Sequence, residues 1–538
     1  MSLFSTGLSG LNAAQIALSV TGNNLTNVDT PGYNRQIAKL TENLMSSGVQ
    51  VTTIERQFDS FVAAQLNKST SLSSSLSSYS DKISQLDALL GNDDANVSTM
   101  MNSFFSSLKD LASEPADTAA RQGVIGSADN MTAQFRSLDS YIKSLYDGVN
   151  SEISSDVNQI NNLASDIANL NKQISLARAK SSDEPNALLD QRDYLVSQLS
   201  QFVNVSVVDQ GGSYNVTIGN GLSLVAGTNS FKLEAMQSAE DPTRTTIGYR
   251  DGNGNLTQVR EKFITGGSLG GVLQFRNEAL TSAQNRLGQL AITLAMSFND
   301  QHAKGVDLSG NAGTQFFSVA DPVTYTNAKN TGTASLDSKF TDASQVALYD
   351  YNISYNSTSG YTVTRQDTGE VLNTFPVGTT TLSFGGMELT VNGTPADGDK
   401  FLVRPLEQAA ATMENLVTDV GQIAAGSPTG GTGTGDNRNA LALQALQTAK
   451  TVGGVSTFNQ AYASMVTDIG NRSAVAQTNL KVQNALTDQL SALQQSDSGV
   501  NMDEEAANLI KFQQYYQASA KVIDAAKNTF DSILAIVN

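Results

Sequence analysis

The sequence predicts an α+β multidomain protein: a long, coiled-coil-like helical bundle formed by both chain termini, with β-rich domains inserted between them. Proline, which costs about 3 kcal/mol inside a helix, is absent between Pro31 and Pro115 and after Pro428. Apolar residues at helical spacing mark the two ends, whereas β-branched runs alternate with glycine turns in the middle. We therefore expect helices at the ends and strands between them.

The first helix is predicted by apolar residues spaced three and four apart within residues 1–28. Gln15 and Gly22 occupy the two missing positions. The apolar members are Phe4, Leu8, Leu11, Leu18 and Leu25. The segment Thr30-Pro31-Gly32-Tyr33 ends the helix, because proline disfavours α geometry at the preceding residue and glycine supports a turn.

The second helix is predicted from about residue 57 to Leu90. It crosses residues 69–80, where eight of twelve positions are serine, a composition also typical of flexible linkers. The unbroken spacing of Leu72, Leu76, Tyr79 and Ile83 favours the helix. Further helices are predicted over about 141–180, 188–202, 273–299, 405–426 and 438–538.

Two stretches have strand patterns. They cover about residues 204–264 and 320–404, and the sequence leaves open whether they form one domain or two. The strand patterns delimit a small β domain (204–264) and a β domain (320–404), and mainly helical patterns occupy the segments before, between and after them.

The last helix has the longest pattern. From Leu509 to Val537, spacings of three and four continue over about 42 Å, and only Ser519 is polar. The apolar members are Leu509, Phe512, Tyr516, Ile523, Ala526, Phe530, Ile533 and Val537. Asn501 is the predicted N-cap, with Glu504 three residues later. A pattern this long predicts a long helical partner rather than a compact core.

Composition excludes several classes of function. The 538 residues include 33 basic and 51 acidic side chains, no cysteine and a single histidine, His302. The net charge of −18 disfavours nucleic acid and anionic membrane surfaces as partners. Sulfur-ligated and multi-histidine metal sites are excluded. The sequence has no long apolar run and no secretory signal, so we expect a soluble protein, cytoplasmic unless exported without a cleavable signal.

Two motifs are compatible with chemistry. Residues 266–270, GGSLG, fit G-x-S-x-G, and a hydrolase would combine Ser268 with His302 and an acid such as Asp300. The surrounding chain has no alternating βαβ pattern, which favours a glycine hinge between a strand and a helix. Residues 251–255, DGNGN, resemble the start of a calcium loop but lack its later glycine and glutamate, so a hairpin turn is expected.

Both ends of the chain resemble bacterial flagellar axial proteins. The resemblance rests on LSGLNAAQ at 8–15, TGNNLTNVDTPGYNRQ at 21–36 and SGVNMDEEAANLIKFQQYYQASAKVIDAAKNTFDSIL at 498–534. The TPGY-x-RQ ending is similar to the hook-associated protein 1 family rather than to hook or rod proteins. The motif residues at this turn are Asn23, Asn24, Asn27, Thr30, Pro31, Gly32, Tyr33, Arg35 and Gln36.

The resemblance implies a structural protein of the hook–filament junction, with no enzyme activity and no cofactor. The terminal helices would pair in an inner tube as a terminal coiled-coil domain (1–56 with 498–538), and a helical bundle domain (57–203 with 265–319 and 405–497) would adjoin it. The apolar residues named above would form the coiled-coil and subunit interface. The implied partners are copies of this chain in a ring-like oligomer, the hook protein, hook-associated protein 3 and an export chaperone at the C-terminal helix. The implied location is extracellular, reached by flagellar type III export. A hook or distal rod component is the alternative.

Overall fold

The computed structural model describes residues 3–42, 48–92, 96–181, 183–429 and 433–537, and the side chains of residues 536 and 537 lie outside this description. Long helices form most of the described part. They are α1 Leu3–Thr26, α2 Ser60–Leu90, α3 Val97–Ser113, α4 Thr118–Lys180, α5 Asn186–Phe202, α6 Gly267–Phe275, α7 Thr281–His302, α8 Arg438–Ala445, α9 Phe458–Ser498 and α10 Met502–Val537.

The strands form five small antiparallel sheets in the described ranges. A hairpin near the N-terminus consists of β1 Gln36–Glu42 and β2 Val49–Arg56. The first β region contains β3 Val205–Gln210, β4 Ser213–Ile218, β5 Leu222–Ala226, β6 Asn229–Ser230, β7 Lys232–Gln237, β8 Thr245–Arg250 and β9 Leu256–Gln258. The second contains β10 Val323–Thr326, β11 Ser335–Phe340, β12 Tyr351–Asn356, β13 Gly360–Arg365, β14 Val371–Phe375, β15 Thr381–Phe384, β16 Met387–Asn392 and β17 Lys400–Arg404.

The two ends of the chain form an antiparallel helical pair, which confirms the predicted fold class. Gly7 of α1 lies opposite Ile523 of α10, and Asn24 lies opposite Glu505. From this register, α10 extends past the first described residue of α1 by roughly ten residues, or about 15 Å. Its last turns therefore have no partner from α1 in the described part of the chain.

The β1–β2 hairpin lies along α1 and was not predicted. The Val49 amide donates to the Ser9 hydroxyl, 3.3 Å away, and the base of the hairpin contacts Asn24. A register shift between Lys39 and Leu40 interrupts the pairing. Because such a bulge reverses the alternation of side chains, the strand pattern is broken in the sequence.

The serine-rich segment is helical, as predicted, within α2. Asp59 caps this helix by accepting from the amides of Phe61 and Val62. The helix predicted at 141–180 is longer, because α4 begins at Thr118 after the N-cap Asp117 and buries a regular apolar face through Met131 and Phe135. The helix predicted at 273–299 is one stretch of α6, a π-helical turn at Arg276–Leu280 and α7.

The helix predicted over 405–426 is absent, and this prediction is wrong. The segment consists of turns and a 3-10 helix at Val420–Gln422. Its backbone pairs with residues 316–318, since the Ser318 amide donates to Glu414 and the Leu416 amide to Phe316. Most of its apolar residues are buried in the core, although Leu416 is exposed. Their spacing therefore reflects the burial of an irregular segment rather than helical periodicity.

The two β regions differ in how they are packed. Val216, Leu224 and Ile247 of the first region share one continuous core with the helices. The second region encloses a separate core between its five-stranded and three-stranded sheets, with Ile353, Val363 and Leu389 fully buried or nearly so. The chain is therefore a helical body that carries a separate β unit and a terminal helical pair.

Candidate assembly site at the paired termini

Small residues let α1 and α10 approach closely. Their spacing of three and four matches a coiled-coil seam, and they are Gly7, Gly10, Ala14, Ala17, Thr21 and Asn24. A Cβ on Gly7 would lie 2.7 Å from Ile523, and one on Gly10 would lie 2.6 Å from the hydroxyl of Ser519. The single polar member of the α10 pattern, Ser519, therefore lies directly against a glycine of α1. Sequence reasoning missed this face because it followed only large apolar residues.

The predicted apolar residues lie beside this small-residue seam or outside it. Half-buried members are Leu11, Leu18, Leu25, Leu509, Phe512, Ile523 and Ala526, and exposed members are Phe4, Leu8, Tyr516, Phe530 and Ile533. Val537 ends α10, and its side chain is outside the described residues. Phe4 is 51% exposed and Phe530 62% exposed, so pairing within one chain leaves an apolar surface uncovered. Their role as subunit contacts remains a prediction.

A buried amide joins the end of α1 to the turn that follows it. Asn24, 1% exposed, donates from Nδ2 to the Gln36 carbonyl at 2.8 Å and to Glu505 at 3.0 Å. Its Oδ1 accepts from the Gln36 amide at 2.9 Å and from the Tyr33 hydroxyl at 2.8 Å. Burial and the nearby carboxylates raise the pKa of Tyr33 to about 12, so its hydroxyl stays a donor. All four hydrogen-bonding positions of the amide are satisfied.

Arg35 ties this turn to the start of α10. Its guanidinium lies 2.8 Å from carboxylate oxygens of both Glu504 and Glu505, and its amide donates to Ser498 at the end of α9. The Glu505 side chain is only 2% exposed, so it needs both Arg35 and Asn24 as partners. We call Asn24, Tyr33, Arg35 and Glu505 the terminal joint.

Asn501 caps α10 by accepting from the amides of Asp503 and Glu504, as predicted.

A second cluster fastens the hairpin base to α5 of the helical body. Asp190 accepts from the side chain of Asn34 at 2.6 Å and from Arg56 at 2.9 Å. Arg56 also lies 2.6 Å from Asp193. Gly32 adopts φ +79 against the ring of Tyr194, where a Cβ would lie 2.7 Å from the Tyr194 Cβ. The orientation of the terminal pair relative to α5 thus depends on both charge and close backbone approach.

The remaining motif residues shape the turn itself. The Asn27 side chain donates to the Asn23 carbonyl, and the Thr30 hydroxyl donates to Asn27 Oδ1. The Tyr33 amide donates to the Thr30 carbonyl, which closes a tight turn around Pro31 and Gly32. The side chain of Asn23 is exposed. These contacts direct Tyr33 and Arg35 toward α10.

The residues of the G-x-S-x-G motif lie apart from the histidine considered with them. Ser268 donates to Asp156 of α4 at 2.6 Å. His302 is buried rather than capping an exposed helix end, with Nδ1 bonded to the Thr314 carbonyl and Nε2 accepting from the Ala424 amide. Burial lowers the pKa of His302. Asp300 is exposed at the end of α7. His302 therefore acts as a structural link between backbone segments.

Close packing and backbone conformation explain the glycines of that motif and Gly271, which directly follows it. A Cβ on Gly271 would lie 2.2 Å from the carbonyl oxygen of Ser75, and one on Gly270 would lie 2.9 Å from the Thr265 carbonyl carbon. Gly266 and Gly267 have φ of +67 and +62. The glycines let α6 turn away from the preceding segment and rest directly on the serine-rich face of α2, as the hinge interpretation predicts.

Asp156 gives a test of how burial acts at this contact. Burial raises the pKa of Asp156 to about 6, above its ordinary value near 4. Between pH 4 and 6 the folded chain therefore binds more protons than the unfolded chain, and the folded state loses stability as pH rises through that window.

Asp156→Asn, which keeps an acceptor for Ser268, should stabilise the protein at pH 7 by up to about 2 kcal/mol and have little effect at pH 4. Urea unfolding at both pH values measures this. Asp147→Asn, at an exposed position of α4, is the control, and an equal effect of Asp156→Asn at both pH values contradicts the prediction.

Three further findings concern metal sites, the turn at residues 251–255 and membrane-spanning helices. Within the described ranges, no three or more His, Asp or Glu side chains are grouped to hold a metal ion. Asp251 accepts from the amides of Asn253 and Asn255, which forms the expected hairpin turn. Over the same ranges, no helix is long and apolar enough to cross a membrane.

Comparison with known proteins first defines the class. Residues 4–34 match the family described as "Flagella basal body rod protein", and residues 494–536 match "Flagellar basal body rod FlgEFG protein C-terminal". Both matches contain residues of the terminal joint. The paired termini are therefore those of a flagellar axial protein.

The rest of the chain identifies the family. Residues 83–317 match "Flagellar hook-associated protein FlgK helical domain", and 325–405 match "Flagellar hook-associated protein 1, D2-like domain". Flagellar hook-associated protein 1 of Escherichia coli strain K12 is 42% identical, and that of Salmonella typhimurium strain LT2 41%, each over 99% of this chain and 100% of the relative. The chain belongs to the flagellar hook-associated protein 1 family.

A solved structure supports the same assignment. The flagellar hook junction protein FlgK from Burkholderia pseudomallei superimposes with a TM-score of 0.75 at 30% identity, covering 80% of this chain and 100% of that one.

Proposed function

We propose that this protein is a structural junction subunit that polymerises at the tip of the flagellar hook and connects it to hook-associated protein 3. The observation that carries the proposal is the uncovered apolar surface of the terminal pair, which includes Phe4, Phe530 and Ile533. The terminal joint holds α1 against α10, and the cluster around Asp190 fastens this pair to α5 of the helical body. The relative described as a hook junction protein supports the same role.

The proposal includes specific partners and a location. Copies of this chain would form a ring-like oligomer, with the hook protein on one side and hook-associated protein 3 on the other. The exposed side of α10 would bind an export chaperone before assembly, because its apolar residues need a cover in water. Export without a cleavable signal would bring the protein to the extracellular hook–filament junction.

Isolated hooks test this function. Purified protein is added to hooks from the same source, and electron microscopy and sedimentation measure whether it caps their tips and permits hook-associated protein 3 to bind. We expect both events. Failure to cap would overturn the proposal, and binding to rods instead of hooks would favour a rod-type component, to which the terminal matches also point.

Phe530→Lys should abolish capping while the rest of the chain stays folded. Phe530 lies beyond the part of α10 that α1 covers and is 62% exposed, so the charge disrupts contacts between chains rather than within one. Circular dichroism and thermal unfolding check the fold, and the hook assay measures incorporation. Lys527→Ala, at an exposed site one turn earlier, is the control. Normal incorporation of Phe530→Lys would contradict the assigned role of this surface.

A further inference from the structure

The C-terminal half of α9 exposes a line of apolar residues to solvent. From Ser473 onward, its covered side is a mixture of polar and apolar residues. Gln483 is buried and donates to the hydroxyl of Ser69 at 2.7 Å, Ser73 is bonded to Asn484, Ala476 is buried, and Leu480 and Leu490 are half-buried. The apolar residues on the other side are exposed, namely Val475, Val482, Leu486 and Leu493, at 58%, 67%, 46% and 45%. A helix on the surface of a body usually has polar residues on its outer side, so this line of large apolar residues is unusual.

The exposed residues form a continuous line, which we call the α9 outer seam. Val475, Val482, Leu486 and Leu493 fall on alternating spacings of three and four, with Asn479 and Gln489 at the intervening positions. The seam is about 27 Å long at 1.5 Å per residue. Such periodicity is that of a helix packed against another helix, although α9 has its packing partner on the opposite side.

The surroundings of the seam are poor in charge. Among residues 473–496, only Lys481 and Asp488 are charged, whereas a solvated surface typically has about a quarter to a third of charged residues. Depletion of charge with exposed aliphatic side chains is typical of the centre of a protein interface. The seam ends on its N-terminal side at the ion pair of Asp468 with Arg472.

We propose that the α9 outer seam packs against the helical body of a second copy of this chain in the assembled ring. Each copy carries a net charge of −18, so two copies repel unless they meet where charge is absent, and this surface meets that requirement. The seam also runs toward the terminal joint, because the Ser498 carbonyl at the end of α9 accepts from Arg35. The inference rests on the proposed self-assembly at the hook and adds a second contact surface outside the termini.

A single cysteine tests the identity of the occupant, since the chain has none of its own. Val482→Cys protein carrying a thiol-linked benzophenone is assembled on isolated hooks, irradiated and analysed by mass spectrometry. We expect cross-links to α2–α9 peptides of a second copy, absent before assembly. Cross-links only to the hook protein, only to hook-associated protein 3, or to no second chain after capping would overturn the inference. Failure of the chain to cap hooks at all would instead overturn the proposed function.

Charge on the seam gives a quantitative test. The double variant Val482→Glu with Leu486→Glu should cap hooks at least tenfold less than the unaltered protein, with its thermal midpoint unchanged because both side chains are exposed. Leu176→Glu, at an apolar and 52% exposed position of α4, is the matched control and should cap normally. Undiminished capping by the double variant, or an equal loss in the control, would overturn the inference. If the double variant unfolds, the cross-linking result decides.

Discussion

Replacing Asn24 with alanine is expected to loosen the terminal helical pair by about 3 to 5 kcal/mol. The side chain makes four hydrogen bonds, so its loss deprives the Gln36 backbone, the Tyr33 hydroxyl and Glu505 of partners. Glu505 is buried and charged, which makes the missing donor costly. Hydrogen exchange should show amides of α1 and of the first turns of α10 losing protection by a hundredfold or more.

The neighbouring residue supplies the control for this experiment. Asn23→Ala removes an exposed amide of the same type from the same turn of α1, and its effect on exchange should be small. The helical body should keep its protection in both variants, because its core does not include the joint. Unchanged exchange of α10 in Asn24→Ala would show that the terminal joint does not hold the pair.

Replacing Gly271 with alanine is expected to destabilise the helical body by about 2 to 3 kcal/mol. The added methyl group would lie 2.2 Å from the backbone carbonyl of Ser75, so α6 and α2 must separate. A glycine-to-alanine change inside a helix normally stabilises by about 1 kcal/mol. A loss of stability would therefore show that the contact between α6 and α2, rather than helix propensity, determines the effect of the substitution. Denaturant unfolding gives the measurement.

Gly148 offers the opposite case within the same body. It lies in α4, and apart from the neighbouring backbone of that helix no atom lies within 4 Å of the position that an added methyl group would take. Gly148→Ala should therefore be neutral or stabilising. If both variants are stabilised alike, the α2–α6 contact is looser than the structure indicates. Such a result would also remove the packing explanation for Gly271, which directly follows the G-x-S-x-G motif.

Periodicity predicted the long helices well because a helix that buries one face must repeat its apolar residues at fixed spacing. The serine-rich part of α2 and the N-cap at Asn501 followed from local pattern and capping chemistry. The same method failed at 405–426. The apolar residues there have helical spacing because an irregular segment buries them at similar intervals, although the segment is not an α-helix. It also missed the β1–β2 hairpin, whose bulge interrupts the strand alternation.

The candidate site was predicted in part. The resemblance pointed to the turn and helices that form the terminal joint, and Arg35 and Asn24 were among its motif residues. The subunit contacts that it implies stay a prediction. The partners of those residues were missed. Asn24 and Glu505 are separated by 481 positions along the chain, and nothing in the local sequence around either residue indicates that their side chains meet. The small-residue seam of α1 could have been found by searching for glycine and alanine at spacings of three and four.

The sequence by itself determined the class of fold, the paired terminal helices and the family, because periodicity, proline placement and two long motifs are local properties of the chain. Only the tertiary structure decided which face of each helix is covered. It placed small residues between α1 and α10, and it left Phe530 of α10 and Val482 of α9 exposed. The reason is physical: a periodic pattern shows that a helix has two distinct sides, but burial depends on which other elements reach each side.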